Sequence, residues 1–477
     1  MSSSLSPLPL VLSFKAGISL HEQPEGDVFL QAPLARVLLS SPSKGILEAL
    51  RVLSHEGAAP EQLLALVAQH DGDQAVPTMV FHLQRLIQAG LICHTITAHA
   101  DPLATVVPTS PAYRFAPAEP APNEPYSLSR FAYLHREHTQ FVLESPLAHA
   151  KIVLHDGKAL ALLHALAGIP TLDALCQTLP EIPRASTALF VGLLLSCALI
   201  SRVNPDGEIQ ETPALTQWAF HDLLFHARSR QGRHANAYGA TFRFLQKIEP
   251  LPAVKPPMTD EATCLYKPNL DALQVSDVPF TRVLETRRSI RKHGAELITV
   301  EQLGAFLYRT ARIRTIEKQQ EEYERSNRPY PGGGACYELE VYVVANGCRG
   351  LAAGLYHYDP QSHQLYRLTG RTAEVEALLK QACLATPQED LPQLLIVLTA
   401  RFQRVAWKYD AMAYAAILKH VGVLLQTMYL VATAMELAPC ALGGGDADLF
   451  AAATGTDYYA ETSVGEFILG SRPDTQL

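Results

Sequence analysis

Thr286-Arg287-Arg288-Ser289-Ile290-Arg291 and, further on, Arg328-Pro329-Tyr330-Pro331-Gly332-Gly333-Gly334-Ala335 decide the reading of the C-terminal half, the second running into Glu338-Leu339-Glu340-Val341-Tyr342-Val343-Val344. Three guanidinium groups beside a hydroxyl suit a phosphate, because the planar arginine fork pairs two phosphate oxygens at once. On an extended backbone Arg287, Ser289 and Arg291 share one side and Arg288 takes the other. Pro331 fixes φ, while Gly332, Gly333 and Gly334 accept positive φ and leave room for something flat. Leu339, Val341 and Val343 alternate as in a half-buried strand. Each stretch alone also fits a plainer reading, a solvated charge run or an ordinary turn before a strand. Gly443-Gly444-Gly445-Asp446 carries the same ambiguity.

Outward from these, Thr299-Val300-Glu301-Gln302 is a capping box opening a helix with Leu303, Phe306 and Leu307 at helical spacing. Leu394 to Leu398 is unbroken aliphatic, as in a strand buried on both faces. Ala411 to Leu437 reads as a long apolar helix that needs protein cover on most sides, a second subunit included. Lys408 and Tyr409 fall between that strand and that helix, where strand ends deliver side chains to a cleft. A lysine packed against an apolar ring has its charged form disfavoured, which suits a general base. A solvated lysine beside a half-buried tyrosine is the plainer alternative. The expected fold class here is α+β, a central sheet with a long core helix.

The first two hundred residues hold an internal repeat. Phe29-Leu30-Gln31-Ala32-Pro33-Leu34-Ala35 is echoed by Val142-Leu143-Glu144-Ser145-Pro146-Leu147-Ala148, each followed by a short strand pattern and a helix. Pro60 and Pro170 then mark helix starts, and third helices over 78–90 and 186–198 run into strands. Strand, helix, helix, helix, strand reads as two winged-helix-like modules, 1–101 and 126–205. The proline-rich stretch 102–125 is expected to be an extended, poorly packed linker. Asn204-Pro205-Asp206-Gly207 marks a turn-forming boundary, 206–257 a connecting helix and linker, and 258–477 the α+β domain.

At 477 residues with a formal charge of −8, the chain offers no basic field for nucleic acid or an anionic membrane. In the third helix of the first module Arg85 is the one fixed positive charge, and the stretch 186–198 has none. A recognition helix without cations cannot make the phosphate contacts that dominate DNA affinity, so a peptide adding a strand at a module's edge is the better partner. The eight cysteines are scattered without C-x-x-C pairs or zinc spacing, so no metal is expected. Reduced thiols, no secretory pattern and no transmembrane run point to the cytoplasm.

Taken in order from about Asn236, the R-R-S-x-R segment, the Y-P-x-G-G-A turn, Gly354-Leu355-Tyr356-His357-Tyr358-Asp359-Pro360, Lys408-Tyr409, the long helix, the glycine cluster and Gly465-Glu466-Phe467-Ile468-Leu469-Gly470 resemble the FMN oxidoreductases of the nitroreductase superfamily. The resemblance is specifically to azoline dehydrogenases of thiazole- and oxazole-forming peptide pathways, and His226-Ala227-Arg228-Ser229-Arg230 is similar as well. It implies that Arg287, Arg288, Ser289 and Arg291 hold FMN from one side, with Ser471 and Arg472 completing the phosphate site. Pro331, Gly332 and Gly333 would border the isoalloxazine from a partner subunit of a homodimer, and Gly443 and Gly444 would cross its other face. Lys408 and Tyr409 match the catalytic pair. Gly332 departs from the serine common in relatives, and the asparagine that general nitroreductases often carry near this turn is absent.

Cyanobactin-type azoline oxidases carry winged-helix peptide clamps, so the repeat implies leader recognition. The implied activity is oxidation of peptide thiazoline or oxazoline rings to azoles with O2 as acceptor, after a cyclodehydratase has made the azoline. The alternatives are an NAD(P)H-dependent nitro- or quinone reductase, or a non-catalytic tandem winged-helix peptide-binding protein.

Overall fold

The computed structural model describes residues 9–474 except 33–34, 205, 210, 319–322, 387 and 389, and not the side chain of Ala35. The chain divides into two compact units, Met1–Asn236 and Ala237–Leu477.

In the first unit, β1 (Leu10–Phe14) precedes a three-stranded sheet of β2 (Ser19–Glu22), β3 (Val28–Ala32) and β4 (Ala35–Leu39). Then come α1 (Lys44–His55), α2 (Pro60–Asp71), α3 (Val76–Gln88) and the hairpin of β5 (Ile92–Ala98) with β6 (Asp101–Pro108). After β7 (Tyr126–Leu128) the pattern recurs as β8 (Tyr133–Glu137), β9 (Gln140–Glu144), β10 (Ala150–Leu154), α4 (Gly157–Ala165), α5 (Leu172–Thr178), α6 (Arg184–Ser196) and β11 (Ile200–Arg202). The short α7 (Pro213–Thr216) and α8 (Phe220–Arg228) close the unit. The repeated segments thus give equivalent strands β3 and β9, although Pro33 and Leu34 of the first copy, and Pro205 of the expected boundary turn, lie outside the described residues. Pro60 sits in the first turn of α2, where its missing N–H costs nothing.

The stretch 102–125 differs from its reading as a loose linker. Its prolines at 102 and 108 flank Leu103-Ala104-Thr105-Val106-Val107, whose β-formers Thr105, Val106 and Val107 favour β6, with Leu103, Ala104 and Val106 buried. Proline at strand ends removes no essential ladder bond. The sheet order β1-β5-β6-β10-β9-β8 joins strands of both modules in one sheet, and one apolar core runs through both. The rest of the stretch is strapped down: Ala118 N donates to the Gly192 carbonyl on α6 at 3.1 Å, and Tyr113 is buried. Helix α6 starts at Arg184, earlier than its apolar run suggests, so it carries one cation. That guanidinium pairs with Asp173 at 2.6 Å.

The second unit holds β12 (Gly239–Ala240), β13 (Ala262–Cys264), α9 (Leu270–Ser276), α10 (Phe280–Thr286), α11 (Val300–Ala311) and the hairpin β14 (Thr315–Lys318) with β15 (Glu324–Asn327). There follow β16 (Leu339–Ala345), β17 (Gly354–Asp359), β18 (Gln364–Thr369), α12 (Ala373–Leu384), β19 (Leu394–Arg401), α13 (Phe402–Ala406) and β20 (Tyr409–Asp410). The long α14 (Ala413–Ala434), β21 (Leu437–Leu442), α15 (Ala447–Thr454) and β22 (Glu461–Ser471) complete it. Seven strands pair in the order β13-β18-β17-β16-β19-β22-β21. One face packs on α11 and α14, the other on α12 and α15.

The Thr299 capping box forms as read, Thr299 Oγ1 accepting from Gln302 N and Gln302 Oε1 from Thr299 N. The expected connector 206–257 instead divides at 236/237: Gly239 and Ala240 pair with Asp410 and Tyr409, and Trp407 Nε1 donates to the Ile248 carbonyl at 2.6 Å. By length and composition α14 could cross a membrane, but its buried side chains lie in the core of this unit.

Strand β16 is buried on both faces, not one. Its alternation misleads because Glu340 is itself 1 % exposed, held by His357 Nε2 at 3.1 Å and Arg401 Nη1 at 3.3 Å. Burial alone would raise this carboxyl, but the bond and charge of His357, with Arg401, bring it down to about 2. Because its folded pKa is depressed, its stabilising contribution is present above the ordinary carboxylate range and is lost as pH falls toward 2. Glu340→Gln is expected to cost about 3 kcal/mol at neutral pH by stranding buried charge. In urea melts the gap between wild type and variant should shrink from pH 4.5 to 2.5; a constant gap would refute the assignment.

Candidate active site

After the buried β19 the chain turns through α13 and delivers Lys408 and Tyr409 to the end of the sheet where Leu339 pairs with Ala400. Lys408 is 6 % exposed, and its ammonium donates to the Gly334 carbonyl at 3.2 Å. It lies 5.4–5.8 Å from the ring centroids of Tyr409, Tyr323 and Phe242, close enough for cation–π attraction. Burial pushes the Tyr409 hydroxyl up, with Cys336 acting the same way and Arg325 opposing. Arg404, fully buried, ties this corner together by donating to the carbonyls of Cys336, Leu251 and Glu324.

The glycine turn therefore meets the lysine–tyrosine pair within one chain. Gly334 has φ +61°, and a Cβ there would stand 2.3 Å from Tyr409 Oη and 2.8 Å from Lys408 Nζ. A Cβ on Gly333 would meet His420 Nε2 at 2.9 Å, and one on Gly332 the Tyr337 ring at 3.1 Å. On this side, the room that the sequence reading reserved for a flat ring is taken by the chain's own side chains. At Gly443 and Gly444, after β21, a Cβ would find no atom within 4 Å, so open space lies there instead.

Two groups that the sequence reading missed hold the turn. Gly333 N donates to His420 Nε2 at 2.7 Å, and His420 Nδ1 lies 2.7 Å from Glu338 Oε1. An acceptor at Nε2 requires the proton on Nδ1, so Glu338 fixes the tautomer that lets His420 take the backbone N–H. Lys419 and His420 read only as polar interruptions of a long helix, and nothing local to them signals a partner many residues upstream.

The arginine segment lies at the opposite end of the same strands. Arg287 caps α10 with its guanidinium 5.2 Å from the Tyr429 ring centroid. Ile290 N donates to the Pro439 carbonyl and Gly294 N to that of Ser471, so 287–294 crosses the ends of β21 and β22 beside Arg472. Arg288, Arg291 and Arg472 are exposed. Ser289 and Ser471 differ from the row of cofactor contacts expected. Ser289 Oγ is 2.7 Å from Tyr429 Oη, which accepts from Ala441 N, and the Ser471 hydroxyl donates to the Glu296 carbonyl. Gln393, also missed, bonds Ile298 N, Ser471 N and the carbonyls of Gly294 and Glu296, locking this loop to β22. Three guanidinium groups on a short, pinned length of chain, with that of Arg472 beyond the end of β22, are a donor set suited to a phosphate dianion.

The two clusters are separated along α14: His420 holds the turn and Tyr429 the arginine segment, nine residues apart and so about 13 Å along the axis. Among the described residues no three His, Cys, Asp or Glu side chains are grouped to hold a metal ion.

Residues 284–471 match the family described as the nitroreductase family, which places the second unit in the nitroreductase class. Residues 6–116 match the family described as the ThcOx helix-turn-helix domain, and residues 126–235 the family described as the cyanobactin oxidase ThcOx. Taken together, the three matches support a nitroreductase-like oxidoreductase of the cyanobactin oxidase kind. A protein of Methanocaldococcus jannaschii named as a nitroreductase is 26 % identical over 179 residues, 37 % of this chain and 81 % of its own. Among solved structures, one described as a nitroreductase of Anabaena variabilis is 22 % identical with a TM-score of 0.37, covering 52 % of this chain and 45 % of its own. The E. coli microcin synthetase complex, solved with truncated pro-MccB17 bound, is 18 % identical with a TM-score of 0.34, covering 56 % of this chain and 98 % of that one.

Proposed function

We propose that the chain is an FMN-dependent oxidase that converts thiazoline or oxazoline rings of a peptide to the aromatic azole, with O2 as terminal acceptor and a cyclodehydratase supplying the azoline. The observation that carries this reading is the pair of buried Lys408 and half-buried Tyr409 packed against a glycine turn in a unit matching the nitroreductases, which follows in sequence modules matching the cyanobactin oxidases. Arg287, Arg288, Arg291 and Arg472 would hold the phosphate, and Gly443 and Gly444 leave open space over which a flat ring can lie. FMN, when bound, supplies a hydride acceptor. Lys408, acting as the neutral amine, takes the Cα proton, which the adjacent imine and carbonyl acidify, as hydride departs from Cβ. Tyr409, whose phenol stays protonated at neutral pH, donates to the ring nitrogen.

The separation of the lysine and arginine ends along α14 is what a homodimer would resolve. Tyr414, Leu418, Gly422 and Gln426 form an exposed stripe on that helix at i, i+4 spacing, and a Cβ at Gly422 would meet nothing within 4 Å. A second copy packed antiparallel there brings one chain's arginine end to the other's lysine end. Gly422→Arg should convert dimer to monomer by light scattering and lower flavin content at least about tenfold; a yellow dimeric variant would refute this interface.

The peptide partner is supported by the first module, where β4 ends its sheet and Leu38, Val80 and Phe81 are exposed. The free, largely buried cysteines support a cytoplasmic setting. The decisive experiment incubates the purified protein in air with a synthetic thiazoline peptide and follows mass. Loss of 2 Da is expected, whereas rapid bleaching by NADPH without any mass change would favour a nitro- or quinone reductase.

A further inference from the structure

One charged neighbour of the lysine–tyrosine pair takes no part in holding the fold. Arg325 lies on β15, which packs against the glycine turn at Gly333–Ala335. By the alternation of an extended chain it follows Tyr323 onto one face, and the Tyr323 ring stands 5.7 Å from the Lys408 ammonium. The Arg325 charge reaches the Tyr409 hydroxyl, where it opposes the effect of burial. Lysine, tyrosine and arginine thus gather around a single turn.

The other arginines here are committed to backbone. Arg404 donates to the carbonyls of Cys336, Leu251 and Glu324, and Arg328 to those of Leu339 and Tyr337. Arg325 is half-buried, and among the described residues no hydrogen bond or ion pair engages its guanidinium. Its Nε–H is sealed from solvent without an acceptor. Glu317 stands opposite in the β14–β15 register, on the same face, yet stays exposed and unbonded to it. Glu324 is taken up by Ala253 N and Lys318. A buried donor left unpaired costs free energy, which an oxygen arriving from a ligand would relieve.

In an azoline peptide the ring nitrogen and the acyl carbonyl flank the same Cα. When Lys408 removes the Cα proton, the freed C–H pair spreads onto the carbonyl oxygen before it closes the Cα=Cβ bond, as hydride leaves Cβ. The hydride's electron pair passes by way of the flavin to O2. We propose that Arg325 donates to this carbonyl oxygen and holds the negative charge that develops there, beside Tyr409 at the ring nitrogen. A guanidinium suits the role because it stays charged and donates from a fixed plane. The inference rests on the azoline oxidase reading.

Calorimetric titration of the full-length, FMN-supplied protein with thiazole-4-carboxylate and with thiazole-4-carboxamide tests the contact without turnover, the carboxylate standing in for the charged oxygen. The wild type should bind the carboxylate at least about tenfold tighter. Arg325→Ala should lose that preference and Arg325→Lys keep part of it, with flavin content unchanged in both. Equal binding of the two probes, or a preference that survives in Arg325→Ala and so belongs to Lys408, would overturn the proposal. With a thiazoline peptide, Arg325→Ala should lower kcat by about 100-fold at nearly constant KM. Free guanidinium should restore part of that rate, which it cannot do for Lys408→Ala. A defect in KM alone, or one that guanidinium leaves untouched, would make Arg325 a docking or structural residue and overturn its part in the reaction. A carboxylate preference carried by Arg325 in a wild type that never removes 2 Da would uphold the oxygen contact and strike only the oxidase reading.

Discussion

Lys408→Ala is expected to remain yellow yet lose at least about 100-fold in the rate at which a thiazoline peptide loses 2 Da, the scale set by a positioned general base. The ammonium is within 3.2 Å of the Gly334 carbonyl and walled by three aromatic rings, so its truncation leaves a gap that water cannot fill with an equivalent base. Tyr409→Phe should be milder, about tenfold, because burial keeps its phenol protonated and confines it to donating a hydrogen bond. The two predictions part on pH. If Lys408 is the base, Tyr409→Phe keeps the wild-type pH–rate profile at lower amplitude, whereas loss of its alkaline dependence would transfer the base to Tyr409. Lys408→Arg is the control for charge alone: it keeps the cation but is too basic to accept a proton at neutral pH, and should be as inactive as alanine. Wild-type turnover by Lys408→Ala with flavin bound would remove the residue from the mechanism.

What could be read from the residues follows the range over which each signal acts. The capping box at Thr299, the aliphatic run of β19 and the proline that starts α2 are local, and each forms as spacing dictates. The α+β class and the winged-helix repeat follow, since periodicity and repetition survive without knowing tertiary partners. The stretch 102–125 differs from its reading because proline frequency is averaged over a segment that opens with the β-forming run Thr105-Val106-Val107. The burial of β16 escaped because Glu338 and Glu340 look like solvent-facing positions, and only their distant partners His420, His357 and Arg401 make them core. The same limit hid Tyr429 and Gln393. Each satisfies backbone or hydroxyl groups supplied by another part of the chain, and no local pattern marks such a role. Composition pointed to arginines for a phosphate, but not to the hydroxyls of Ser289 and Ser471 being taken up in holding the loop that carries them.

That difference in roles gives the second large effect. Arg287→Ala combined with Arg291→Ala should weaken FMN binding by at least about 100-fold, since each charge-assisted bond to a phosphate is worth roughly 1.5–3 kcal/mol. Ser289→Ala should leave affinity nearly unchanged while lowering stability by about 1 kcal/mol, because its hydroxyl is bonded to Tyr429 Oη. Titrating apo-protein with FMN by quenching of flavin fluorescence separates the two, and riboflavin, which lacks the phosphate, provides the internal reference. The arginine variant should bind riboflavin as the wild type does; an equal loss for both ligands would mean that the loop had collapsed and not that a phosphate contact was removed. Unchanged FMN affinity in the double variant would place the phosphate elsewhere. Raised salt should weaken FMN binding to the wild type more than to the double variant, as expected when guanidinium groups that are exposed or half-buried carry the attraction.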